Sequence, residues 1–246
     1  MNRYRTRRRP GVPFLQPEEI EWGASRLLGA YAERFGVALA PPIPVDEILE
    51  SHLHLDLRFK DLPRELGKPN VLGATWVRRR EVAVDESLDP TLNPKMEGRY
   101  RFTLGHEVGH WQLHRHLYPG LDQGVLFPGL AQEEEPFVIC RAGDFDSKEW
   151  QANQFAAYLL MPWEMVVQAW QELRGDLEPY CAQDEILDLC ERWHLGDDQT
   201  PTVRVAREMA RVFNVSGQAM QIRLRGMGLI YIDERPTLVF RGDRAT

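Results

Sequence analysis

The chain of 246 residues is poor in cysteine, with Cys140, Cys181 and Cys190 as its whole complement. That number and scatter exclude a disulfide framework and a cysteine-only zinc cluster, and point to a reducing, cytoplasmic setting. No apolar run approaches the roughly 18–20 residues of a membrane-spanning helix. There is no internal repeat and no long low-complexity stretch, which excludes solenoid and fibrous architectures. The arginine-rich start is followed by Gly11–Pro17 and not by an apolar core, so no secretory signal is expected. What is present, 43% hydrophobic and 27% charged residues, is ordinary globular composition and excludes wholesale disorder.

The net charge of −7 is unevenly spread. Residues 1–10 hold five arginines and no acid, residues 11–200 hold 17 basic and 33 acidic residues, and residues 201–246 hold eight basic and four acidic ones. An acidic body followed by a basic unit suggests two parts with different partners. The expected organisation is a flexible basic tail over 1–16, a first domain over 17–162 and a helical linker with a second domain over 163–246.

Residues 17–36 read as a helix: Pro17 opens it, Ile20, Ala24, Leu27, Leu28 and Tyr31 share a face, and Gly36 closes it. A proline-rich turn leads into a short helix, Val45–Ser51. Leu53, Leu55 and Leu57 alternate with polar residues as a half-buried strand does. Val71–Val77 and Glu81–Asp85 make two further strands across a basic turn. Helices are expected over Arg99–His116 and Lys148–Met161. The connection Leu117–Ser147, with its glycines and the acidic run Glu133–Glu135, is long enough to be functional or mobile. Pro162 suits the first turn of another helix.

The chemistry-bearing run is His106-Glu107-Val108-Gly109-His110. On a helix, residues four apart lie about 40° apart around the axis and about 6 Å along it, so both imidazoles can reach one metal ion. Glu107 sits about 100° round from His106. From there it can take a proton from a water that the metal has acidified, the combination that amide hydrolysis needs. A surface helix with two histidines is the competing explanation. Gly105 and Gly109 weigh against it: each weakens the helix by about 1 kcal/mol, a cost that makes sense if another element packs very close.

Catalytic zinc takes three protein ligands and an open position. Glu149, His116 and His114 compete for the third place, in that order of preference. His116 has metzincin spacing, but Leu113 stands where that signature needs a sharply turning glycine. His114 is a further helical turn on, about 12 Å from His106 along the axis. Both are read as a helix C-terminal turn, where histidine suits the dipole. Glu149 leads a stripe with Ala152, Asn153, Ala156 and Leu160. That small face can approach Gly105 and Gly109, bringing Glu149 to the metal and Asn153 to the second nitrogen of a ligating histidine. Glu149 as a helix-capping residue with Asp146 is the alternative.

Several segments together resemble the ImmA/IrrE-type metallopeptidases: Pro41–Val45, Val71-Leu72-Gly73, Arg101–His110 and, most specifically, Glu149–Pro162. The resemblance implies an α+β fold. A zincin-like metallopeptidase domain with a small sheet and an active-site helix would precede a mainly helical, winged helix-turn-helix-like unit. It also implies zinc (or manganese) on His106, His110 and Glu149, with Glu107 as base. The implied partner is a helix-turn-helix repressor, cleaved to induce stress-response or mobile-element genes.

In the C-terminal unit a helix Val203–Phe213, a turn, a helix Ser216–Met227 and two strands, Leu229–Ile232 and Thr237–Phe240, are expected. Gln218, Gln221 and Arg225 form one polar stripe, with Arg223 nearby. These four are the candidate contacts to DNA or to a protein partner, and both remain open. A DNA-binding transcriptional regulator or antitoxin-like adaptor with a structural or vestigial metal site is the competing function. Cys140 is read as a small buried residue of a strand, with capping of the metal as the alternative.

Overall fold

The computed structural model describes residues 13–117, 136, 138–141, 147–195 and 200–232. The arginine-rich start, most of the long connection and the strand expected at Thr237–Phe240 lie outside the described residues. The chain divides into two compact units, residues 1–165 with 213–215 and residues 166–212 with 216–246.

In the first unit, helix α1 (Pro17–Phe35) is set by its ends. The Glu19 carboxylate accepts from the Gln16 N–H at 2.8 Å, and Gly36 turns left-handed at φ 63°. Its buried face is Ile20, Ala24, Leu27, Leu28 and Tyr31. The short helix α2 (Val45–Glu47) runs straight into a wider π turn over Ile48–His52. Leu53, expected to begin the next strand, instead caps that turn, and His54 follows it at φ 55°. The strand β1 (Asp56–Lys60) is therefore displaced by about three residues from the leucine alternation, and Leu55 is buried ahead of it. A one-turn helix α3 (Leu62–Glu65) leads to β2 (Val71–Trp76) and β3 (Glu81–Asp85).

Helix α4 (Glu97–His114), strand β4 (Val138–Arg141) and helix α5 (Ser147–Leu160) complete the unit. The sheet order is β1-β3-β2-β4, with β1 parallel to β3 and the other pairs antiparallel. Leu62, Val71, Ala74, Trp76 and Ala83 pack into one apolar cluster of this unit. Gly73 and Thr75, two apart and so on one face of β2, point instead towards α4.

The second unit takes in most of helix α6 (Trp163–Arg174), a two-residue strand β5 (Tyr180–Cys181), helices α7 (Gln183–Trp193), α8 (Arg204–Phe213) and α9 (Gly217–Gly226), and strand β6 (Ile230–Tyr231). Ser216 caps α9, its hydroxyl accepting from the Ala219 N–H at 3.1 Å. Among the described residues β6 pairs in parallel with β5. The molecule is a mixed α+β structure with a small sheet. No described helix is long and apolar enough to cross a membrane.

Candidate active site

Helix α4 is buried along nearly its whole length from Tyr100 to Trp111, between β2 and α5. Its seam with α5 is glycine against alanine. A Cβ on Gly109 would lie 3.1 Å from the Cα and the carbonyl oxygen of Ala152. A Cβ on Gly105 would lie 3.3 Å from the Ala156 Cβ and 3.4 Å from its Cα. The glycines expected to accept a close neighbour do so, and the neighbour is the small face of α5. Only such an approach lets a carboxylate on one helix reach imidazoles on the other.

At that seam His106, His110 and Glu149 converge, each buried, with ligand atoms within 4.8 Å of one another. Glu149 Oε2 lies 3.1 Å from His106 Nε2, and Glu149 Oε1 lies 3.3 Å from His110 Nε2. The two Nε2 atoms are 2.8 Å apart. A tetrahedral ion with ligands at about 2.0–2.1 Å has ligand–ligand edges of about 3.3 Å. The observed distances scatter around that length, with the nitrogens closer than it. Two imidazole nitrogens and a carboxylate meeting at one point, two of the three edges near this length, are a donor set that suits a divalent metal.

The electrostatics agree. Burial pushes His110 down to about 4, so it is neutral and able to ligate at pH 7. Burial alone would raise Glu149, but the neighbouring His106 and His110 outweigh it and hold the carboxyl at about 2. Asn153 Oδ1 lies 2.9 Å from His106 Nδ1, where the ring N–H donates to it.

Glu107 is on the same helix but faces β2. One oxygen accepts from the Thr75 hydroxyl at 2.6 Å, and the other is buried without a hydrogen-bond partner. Burial is the largest influence on it and pushes it up to about 7, against the lowering effects of His106 and Thr75. Gly73 makes the space: a Cβ there would collide with the Glu107 carboxylate. Neither Gly73 nor Thr75 had been singled out as working with Glu107.

His114 and His116 part company. His116 is exposed, whereas His114 is 1% exposed and joined to His110 and Gln151. Burial lowers its pKa, so a charged histidine serving the helix dipole is not what His114 provides. Cys140 falls on β4, and its side chain lies outside the described residues.

The four C-terminal contact candidates do not share one surface. Gln218 and Arg225 are exposed, while Gln221 is 5% and Arg223 is 7% exposed. The Gln221 amide is used internally, accepting from the Val203 N–H at 2.7 Å and donating to the Pro201 carbonyl at 3.0 Å. The expected stripe is corrected accordingly: Ile222, 62% exposed, takes the place of Gln221 between Gln218 and Arg225.

The model of the IrrE N-terminal-like domain, peptidase family M78, matches residues 64–225. Among solved structures, a Mycobacterium tuberculosis transcriptional regulator is similar at 17% identity and a TM-score of 0.43. The match covers 89% of this chain and 57% of that one, so the chain spans little more than half the length of that structure. No curated protein matches.

Proposed function

This chain belongs to the M78 peptidases, the IrrE N-terminal-like family, and on that premise we propose that it is a zinc-dependent endopeptidase. His106, His110 and Glu149 hold the metal, with manganese as the alternative ion, and Glu107 is the general base. The observation that carries this reading is Glu107 itself. A fully buried carboxylate with one oxygen tied to Thr75 and the other unpartnered, within electrostatic reach of His106 and Glu149, is costly to fold around. A site that only braced the fold would have no use for it.

When bound, the metal supplies Lewis acidity that polarises a peptide carbonyl and makes water easier to deprotonate. The chain's own residues do the rest. Glu107 takes a proton on its unpartnered oxygen from the attacking water and passes it to the leaving amine. In the metal-free fold, burial raises its pKa to about 7, which favours its acting as a proton acceptor near neutral pH. Thr75 fixes the other oxygen, Gly73 leaves the carboxylate room, and Asn153 orients His106.

The substrate in this reading is a helix-turn-helix repressor in the cytoplasm, cut to release stress-response or mobile-element genes. Gln218 and Arg225 of the C-terminal unit are the groups for a DNA or partner contact. Glu107→Gln tests it, because shape is kept and the base is lost. Cleavage of the repressor encoded beside this gene, followed by mass spectrometry, should fall by about 100-fold or more. Metal content should stay as in wild type. Equal cleavage by both proteins overturns the assignment of Glu107.

A further inference from the structure

A line of hydrogen bonds runs from the back of His110 to the start of the chain. His110 Nδ1 lies 3.0 Å from His114 Nδ1, and His114 Nε2 lies 3.0 Å from Gln151 Oε1. The Gln151 amide nitrogen donates to the Pro13 carbonyl at 2.8 Å. Next to it the Phe14 ring stacks on Trp150 at 5.5 Å, pinning this segment to α5. His114 and Gln151 are 1% and 0% exposed, so no solvent competes for the bond between them, while Pro13 is exposed.

The direction of every bond follows from the Pro13 end. A carbonyl only accepts, so the Gln151 NH₂ must face it and its oxygen must face His114. That oxygen also only accepts, so His114 carries its hydrogen on Nε2. A neutral imidazole has a single N–H, which leaves His114 Nδ1 as an acceptor. His110 Nδ1 must then donate, and the His110 lone pair is forced onto Nε2. That atom is the one lying 3.3 Å from Glu149 and 2.8 Å from His106. Free imidazole side chains in water favour the opposite arrangement, with the hydrogen on Nε2.

We infer that His114 and Gln151 are positioning residues, which lock His110 in the tautomer whose lone pair faces His106 and Glu149, with the Pro13 carbonyl as the fixed end of the chain. The consequence for metal affinity rests on the zinc reading above; the tautomer itself does not.

Two measurements on the full-length protein separate these. Long-range ¹H–¹⁵N NMR of the metal-free, ¹⁵N-histidine-labelled protein reads the tautomer directly. Wild type should show His110 with its hydrogen on Nδ1. Gln151→Leu and His114→Phe should shift it to a mixture or to Nε2–H. Zinc affinity, by chelator competition, should fall about 10–100-fold in both variants, the range for groups that orient metal-bound histidine. Thermal melts identify any variant that fails to fold, and the wild-type spectrum stands without variants. A wild-type His110 with its hydrogen on Nε2, or a folded Gln151→Leu protein with unchanged tautomer and zinc affinity, overturns the inference. An Nδ1–H tautomer in a wild-type protein that binds no zinc upholds the inference and overturns the zinc reading instead.

Discussion

The α4–α5 pair and the α8–α9 pair both bury polar side chains, and they do so for opposite ends. In the second pair, Gln221 is satisfied on both sides of its amide by the backbone of Val203 and Pro201. Its polarity is consumed in holding the start of α8 against α9. In the first pair the polar groups meet one another, and the count does not close. Glu107 keeps an oxygen with no hydrogen-bond partner. Burying such groups costs free energy that fold stability alone does not return. Gln221, with both ends of its amide bonded, serves architecture, and Glu107, left short beside three candidate metal ligands, is the group set aside for chemistry. Each prediction below alters one side of that contrast.

The largest effect is expected at the metal. His106→Ala and His110→Ala should reduce bound zinc from about one per chain to a trace by elemental analysis. Glu149→Ala should weaken zinc by more than the roughly 10–100-fold typical of groups behind the ligands. His116→Ala, an exposed control, should leave it unchanged. Gln221→Ala should leave metal content intact and lower the melting temperature. Retained zinc in the His106→Ala/His110→Ala double variant would erase the distinction between the two helix pairs.

Next in size is a pH effect on the metal-free protein. Glu107 is raised to about 7 in the fold from about 4.5 in the unfolded chain. The folded state therefore holds its proton where the unfolded state has lost it. The sign follows: the favourable contribution is present below about pH 4.5 and is lost as pH rises through about 7. Relative to Glu107→Gln, wild type should lose on the order of 2–3 kcal/mol of stability between pH 5 and pH 8. Urea denaturation of both proteins at several pH values reads the difference. Parallel curves would mean that the carboxylate is not buried uncompensated.

The glycines sharpen the contrast through packing. Gly109→Ala puts a methyl 3.1 Å from the backbone of α5, which cannot yield as a side chain can, and should cost about 1–3 kcal/mol. Gly105→Ala meets a side-chain methyl first, at 3.3 Å, and should cost less. Gly226, in α9, has nothing within 4 Å of an added Cβ. Gly226→Ala should stabilise by up to about 1 kcal/mol through helix propensity. Equal effects at Gly109 and Gly226 would contradict the close seam.

How much of this was legible in the sequence depends on the partner each residue needs. His106, Glu107 and His110 share one helix, so their spacing carries their geometry. Gly105 and Gly109 were readable because a helix tolerates two such residues only against something small, and the alanines of α5 supplied it. Thr75 was not readable as the partner of Glu107. Its role requires β2 to lie under α4, a placement written in strand pairing across separate segments. The link from His110 to His114, Gln151 and Pro13 needs four residues from three segments and has no local period. Gln221 and Arg223 were misplaced because helical periodicity assigns a polar residue to the surface. The Val203 and Pro201 backbone groups that bury Gln221 have no side-chain signature at all. The π turn at Ile48–His52 displaced β1 for a similar reason: an extra residue in a turn leaves the hydrophobic alternation intact while moving its register.

The smallest effect is expected on the outer side of α9, where only exposed groups can meet a partner. Arg225 is exposed, and one arginine–phosphate contact contributes about one unit to the slope of log affinity against log salt. If the C-terminal unit engages duplex DNA, Arg225→Ala should weaken binding a few-fold for all sequences alike and lower that slope by about one. Gln218→Ala should change it less, since an uncharged side chain releases no counterion. Arg223→Ala should act differently: with 7% of the residue exposed, the loss should appear first in the thermal melt. Fluorescence anisotropy with a labelled duplex at several salt concentrations distinguishes these cases. A folded Arg223→Ala protein whose salt slope falls as far as that of Arg225→Ala would return Arg223 to the contact surface. An unchanged slope in Arg225→Ala would remove phosphate recognition from this face of α9.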